Sequence, residues 1–196
     1  YLGTISDLPA LISASHREKV PVILDAAWGG HFGFHPQLPR HAFQLGADAL
    51  ITSTHKALPG YSASALLLAR TTLLSEERLE QSFETTHTTS PAGAPLASID
   101  GVRALLQTRG EELIENLLRN IHQFKETVQA EFALPIFLYP TDFPEGRFDP
   151  TKIVLRVQQL GASGVEIESD LQNKGIRVEM ADRDTIVFLA TIADTN

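Results

Sequence analysis

The chain has 196 residues, 43% of them hydrophobic and 20% charged, enough for one domain with its own core or for one and a half small ones. A formal net charge of −8, from 16 basic and 24 acidic residues, gives no general attraction for nucleic acid or anionic lipid, so neither is expected as a partner. The absence of cysteine excludes disulfides, thiolate-bound zinc and a cysteine nucleophile, and no apolar run approaches the roughly 20 residues of a membrane span.

The opening Tyr1-Leu2-Gly3-Thr4 does not read as a signal peptide. The expectation is a cytoplasmic chain whose abrupt start suggests a fragment or a processed product. Residues 7–17 place Leu8, Leu11 and Ile12 on one helical face, with Ser6 or Asp7 as N-cap. Val20 to Leu24 is a short apolar run with β-branched residues, read as a buried strand that ends at Asp25. A glycine-rich loop follows from Ala26 to Pro36, then a short helix near 38–45 closed by Gly46. Asp48 to Ser53 and Ser64 to Ala69 read as two further strands. Strands separated by helices imply parallel pairing in an α/β sheet covered on both faces.

From 93 to 131 the pattern is helical, with Leu105, Leu106, Leu113, Ile114, Leu117 and Leu118 at helical spacing; Gly110 divides it into two helices or kinks one. Residues 139–150 hold three prolines and a glycine and are the best linker candidate. The remainder reads strand (KIVLRV), helix (164–174, closed by Gly175), strand (IRVEM), turn (ADRD), strand (TIVFLAT), a small α+β unit. The expected organisation is therefore 1–138 as part of a large domain, 139–151 as linker and 152–196 as a small domain.

Two residues carry the chemistry. In open α/β sheets ligands bind beyond the carboxyl ends of the strands, which would bring Asp25 and Lys56 to one crevice. A lysine there can condense with an aldehyde cofactor, and a carboxylate can keep a ring nitrogen protonated. On position alone, a loop-capping Asp25 and a solvated Lys56 are as good an account.

The wording around them decides the matter. PVILDAAWGGHFGFHPQLP, GADALITSTHKALPG, HTTSPAGAPLASIDGVR and GIRVEMADRDTIVFLATIADT, in this order, resemble the ornithine/lysine/arginine decarboxylases, a fold-type-I pyridoxal-phosphate family. The opening YLGTISDLPALI is similar to that family's segment before the Asp strand. The resemblance implies part of a large cofactor-binding domain, mainly parallel sheet with helices on both faces, plus a small α+β unit. It implies decarboxylation of arginine, lysine or ornithine with pyridoxal phosphate.

Carried over position by position, the resemblance makes Lys56 the covalent cofactor lysine and Asp25 the partner of the pyridinium nitrogen. Ala27 would pack against one face of the ring, and Trp28 would lie beside it. Ser53 and His55 would bond the phosphate. Thr89 and Ser90 would reach the cofactor of a neighbouring subunit, which implies a homodimer or larger assembly with a shared site. His31 and His35 stand at i, i+4 spacing, but Gly29, Gly30, Gly33 and Pro36 argue for a loop rather than the helix a metal pair requires; no metal is expected. Glu76-Glu77 and Glu111-Glu112 read as solvated helix surface.

Some positions depart from the family pattern: Ala26 where an acidic residue is usual, Pro59-Gly60-Tyr61-Ser62 after the lysine, and Ala193 in place of a common glycine. The second borders the site and bears on the choice of substrate. The family's upstream phosphate-binding turn and ring-stacking residue have no counterpart among these 196 residues, so a complete site is not expected from them alone. The competing readings are an aminotransferase or lyase on the same scaffold, and a non-catalytic relative that regulates a partner.

Overall fold

In the computed structural model, which describes residues 1–87, 90 and 92–194, an extended amino-terminal stretch leads into helix α1 (Leu8–Arg17). The helix starts where the Asp7 carboxylate accepts a hydrogen bond from the Ala10 N–H at 3.0 Å, with Pro9 in the first turn, where its missing N–H costs nothing. Ile12 is buried and Leu8 packs beside it, whereas Leu11, expected on the same face, is 53% exposed. An i, i+4 pair makes the contact here, and Leu11 falls on the flank.

Strand β1 (Ile23–Asp25) pairs parallel with β2 (Ala49–Ser53), placing Asp25 opposite Ile51. Strand β3 (Ala65–Ala69) pairs with β2 antiparallel, where strands separated by helices had implied parallel pairing within a mainly parallel sheet. The connection explains it. Residues 54–64 contain no helix and are too few for a parallel crossover, so the chain turns back on itself. The short helix expected near 38–45 is a 3₁₀ turn, Ala42–Leu45, closed by Gly46 at φ 101°, a conformation natural to glycine.

Leu24, Leu50 and Leu68 line up across the three strands and face a core that includes Ile12, Ala42 and Ala47. On the opposite face Ile23, Ile51 and Leu67 are 58%, 41% and 40% exposed, so within this chain the sheet is buried on one side. Asp48, at the foot of β2, is buried and accepts from the Val22 N–H and pairs with the His16 ring, both at 2.8 Å. Burial alone would raise its carboxyl, but the Val22 N–H, His16 and the Arg70 charge together hold it below the usual carboxylate range.

Helix α2 (Glu76–Thr86) is capped by the Ser75 hydroxyl and carries Glu76 and Glu77, both exposed, in its first turn, where the helix dipole favours acids. Helix α3 (Gly93–Gln129) is one uninterrupted element, so Gly110 does not divide it. Gly110 does mark a boundary. Ser6–Phe34 and Arg40–Gly110 form one compact unit, and Tyr1–Ile5, His35–Pro39 and Glu111–Asn196 form another.

The second unit is built on Ile114, Leu117, Leu118 and Ile121 of α3, all buried at helical spacing. It also contains a three-stranded antiparallel sheet in the order β4 (Lys152–Arg156), β6 (Thr185–Leu189), β5 (Met180–Ala181). Helix α4 (Gly164–Asn173) begins in a capping box between Ser163 and Glu166 and is followed by Gly175 at φ 79°. Of the expected strand IRVEM only Met180 joins β5. The extended start of the chain belongs here: the Asp149 N–H donates to the Gly3 carbonyl at 2.8 Å, and the Ile5 N–H to that of Arg147 at 2.9 Å.

Residues 139–151, expected to link two domains, lie inside this unit. The buried Lys125 shows why. Its ammonium donates to the carbonyls of Leu138 at 3.0 Å and Lys152 at 3.1 Å, pinning both ends of the stretch to α3. Burial lowers the Lys125 ammonium to about 8 despite the opposing pull of Asp149 and Asp142.

Candidate active site

The parallel pair β1–β2 ends its two strands side by side, and the site is made of the two loops that leave them. The Ala26 N–H donates to the Ile51 carbonyl at 2.8 Å, extending the pairing one residue past β1. The Ser53 N–H then donates to the Ala27 carbonyl at 3.4 Å. The two post-strand loops are thereby held together from their first residues. Gly30 makes a close approach to the second of them: a Cβ there would stand 2.9 Å from the Ser53 carbonyl oxygen and 3.1 Å from Thr52 Oγ1.

Asp25 is the last residue of β1, and its Oδ1 accepts from the Ala27 N–H at 3.0 Å. Lys56 follows β2 and is half-buried, its ammonium 5.2 Å from the centroid of the Trp28 ring. Ser53 is buried at the end of β2. His55 Nδ1 lies 2.8 Å from the Ser64 carbonyl oxygen. A carbonyl only accepts, so Nδ1 carries the hydrogen and Nε2 is the remaining ring nitrogen. The fold thus brings Asp25, Ala27, Trp28, Ser53, His55 and Lys56 to the carboxyl ends of one strand pair. Ser90 is exposed, and Thr89 lies outside the described residues.

Four polar atoms in this set make no hydrogen bond among the described residues: Asp25 Oδ2, Ser53 Oγ, His55 Nε2 and Lys56 Nζ. A carboxylate oxygen, an amine, a hydroxyl and an imidazole nitrogen are the groups that pyridoxal phosphate calls for at its ring nitrogen, aldehyde and phosphate. The donor set fits that cofactor.

Sequence reasoning missed what holds the lysine loop. The Gly60 N–H donates to the Thr54 carbonyl at 2.7 Å, closing the turn that contains His55 and Lys56. Ser64, 2% exposed, bonds Thr54, His55 and Tyr61. The available signal was Gly60 in the departing stretch Pro59-Gly60-Tyr61-Ser62. The histidines play other parts. His31 is buried in the first unit; His35 belongs to the second, where its Nε2–H donates to Glu115 at 2.9 Å while Nδ1 accepts from the Gln37 N–H. No cluster of three metal-ligating side chains occurs among the described residues, and no helix among them is long and apolar enough to cross a membrane.

Known proteins give the same picture. Residues 1–142 match the family described as Orn/Lys/Arg decarboxylase, major domain. An arginine decarboxylase of Bacillus subtilis (strain 168) is 33% identical over 200 residues, covering 100% of this chain and 40% of that protein. One from Bacillus anthracis is 32% identical over 199 residues, again covering 100% of this chain and 40% of the relative. The chain therefore spans about 40% of the length of the curated relatives it matches.

Among solved structures, lysine decarboxylase A from Pseudomonas aeruginosa superposes with a TM-score of 0.81 at 19% identity, over 100% of this chain and 33% of that one. Ureidoglycine-glyoxylate aminotransferase from Bacillus subtilis gives 0.65 at 17% identity, over 95% of this chain and 51% of that one. These likenesses show the fold, that of the fold-type-I pyridoxal-phosphate enzymes, while the match over residues 1–142 shows the family. The chain belongs to the Orn/Lys/Arg decarboxylase family.

Proposed function

We propose that this chain carries the lysine-bearing part of an enzyme that removes the carboxylate of arginine, lysine or ornithine as carbon dioxide, using pyridoxal phosphate. The observation that carries the reading is the placement of Asp25 at the end of β1 and of Lys56 just past the end of its parallel neighbour β2, with Oδ2 and Nζ lacking hydrogen-bond partners among the described residues.

Lys56 Nζ would be the group that bonds the cofactor aldehyde, and it would also be placed to move a proton at the substrate Cα. Asp25 holds the proton on the ring nitrogen, with its Oδ1 fixed by the Ala27 N–H so that the carboxylate is oriented before the cofactor arrives. When bound, the cofactor supplies the electron sink that takes up the electrons left by departing carbon dioxide. Ala27 keeps the approach to the ring open, Trp28 packs beside it, and Ser53 Oγ and His55 Nε2 receive the phosphate. Ser90, exposed after α2, is free to serve a second subunit, and a dimer with a shared site is part of the proposal.

The test is reductive trapping. Borohydride treatment of the protein with added pyridoxal phosphate is expected to fix the cofactor's mass on the peptide containing Lys56, and Lys56→Ala to abolish it. Carbon dioxide release is then measured with arginine, lysine and ornithine. Label on another lysine, or a keto acid as product, overturns the reading.

A further inference from the structure

The loop between β2 and β3 contains a closed set of hydrogen bonds whose directions can be assigned. Ser64 Oγ donates to the Tyr61 carbonyl at 2.6 Å, which uses its only proton. The 2.5 Å contact between Thr54 Oγ1 and Ser64 Oγ must therefore have Thr54 as donor. The Ser64 carbonyl accepts from the Thr54 N–H at 3.1 Å and from His55 Nδ1–H at 2.8 Å, with Thr54 Oγ1 a longer contact at 3.5 Å. Ser64 is 2% exposed and Thr54 is 4% exposed, so little water competes for these bonds. Ala63, immediately before Ser64, has φ 64°, a left-handed conformation that side chains other than glycine's resist. An unfavourable backbone geometry thus aims both polar groups of Ser64 inward at Thr54 and His55.

Resting on the proposed function, we propose that Ser64 is the positioning residue for the cofactor phosphate: its main-chain carbonyl, held in place by the side-chain bonds to Thr54 and Tyr61, keeps the hydrogen of His55 on Nδ1, so that His55 meets the phosphate through Nε2. A neutral ring in this form has only a lone pair at Nε2. It donates to a phosphate oxygen there only by taking up a proton, as the imidazolium. The phosphate is therefore met by a charge-assisted bond from His55 and a neutral one from Ser53. The titratable side chains on the segments packed around this loop are Asp25 and His31 on the β1 side, Lys56 and Tyr61 within the loop, and Asp100 and Arg103 on α3, whose Ser98 hydroxyl accepts from the Tyr61 N–H at 2.7 Å.

Two measurements test this, the first without cofactor. In the full protein labelled with nitrogen-15, the His55 ring, assigned through His55→Gln, is expected to show hydrogen on Nδ1 and a bare Nε2 in its neutral form. A ring protonated at Nε2 alone overturns the proposal. The second compares pyridoxal phosphate with pyridoxal, which lacks the phosphate. Ser64→Ala and Thr54→Val are each expected to weaken pyridoxal phosphate binding about tenfold and to leave pyridoxal unchanged, the double variant adding little more.

Thr54→Ser, which keeps the donor hydroxyl, is expected to bind as the parent does. Equal losses for both ligands mean a merely structural role and sink the proposal. Should the parent protein take up neither ligand, the decarboxylase reading falls and the phosphate role with it. The ring spectrum still decides on its own whether the bond to the Ser64 carbonyl keeps the hydrogen on Nδ1.

Discussion

The ammonium of Lys56 stands 5.2 Å from the centroid of the Trp28 ring, the one charged contact of the lysine among the described residues. The cation–π attraction holds the ammonium in place without a hydrogen bond that would have to be broken before the amine can react. Lys56→Arg separates the two properties. Its guanidinium keeps the attraction, so the melting transition should move by no more than about 0.5–1 kcal/mol in stability. Reductive labelling and turnover should both be lost.

Asp25→Asn preserves the oxygen that accepts from the Ala27 N–H and removes the charge. The loop should keep its form and the cofactor should still label Lys56. Turnover should fall by about a hundredfold or more, the usual loss when a preorganised electrostatic group is removed. Equal turnover in the two proteins would detach Asp25 from the chemistry.

Gly60→Ala tests the closure of the lysine loop. A Cβ at this position collides with the Thr54 carbonyl oxygen, and it lies 2.9 Å from the carbonyl carbon. Backbone cannot yield as a flexible side chain does, so the turn must open and break the Gly60–Thr54 bond. The expected cost is about 1–3 kcal/mol in stability, read by urea denaturation, with slower labelling of Lys56.

The strand ends were legible in the sequence, and the loop between them was not. Asp25 and Ser53 were placed correctly because short β-branched apolar runs ended at them, and such runs read as buried strands. The reversal at β3 was missed because it depends on the helix-free return of residues 54–64, and an apolar run such as SALLLA has no direction. Ser64 was missed for a related reason: its part is set by a hydrogen bond to His55 across the turn and by the left-handed Ala63, neither of which leaves a pattern in composition or periodicity. The proline-rich stretch misled in the opposite sense, since its composition suits a tether and Lys125 pins it from elsewhere in the chain.

Lys125 makes stability pH-dependent on the alkaline side. Its ammonium titrates at about 8 in the folded protein and at its ordinary 10.5 when unfolded. Between these values the unfolded chain holds more protons, so this group's contribution to stability rises with pH, by about 3 kcal/mol across the window. Below pH 8 both states are protonated and the contribution is flat. Denaturation at pH 7.5 and 9.5 should show the rise in the parent protein and its absence in Lys125→Met, which leaves the Leu138 and Lys152 carbonyls without their donor.

The bridge between Thr4 and Phe148 sets an order on how the protein comes into being. On the ribosome Thr4 emerges long before Phe148, and nearly all of the unit that bears Asp25 and Lys56 is made in between. That unit has its residues at hand while the other still lacks most of its chain. Joining ends so distant in sequence is slow, because loop closure must precede any contact that rewards it. The unit bearing Asp25 and Lys56 thus has all its residues made before Phe148 is, and the pairing of Thr4 with Phe148 has to wait until after it.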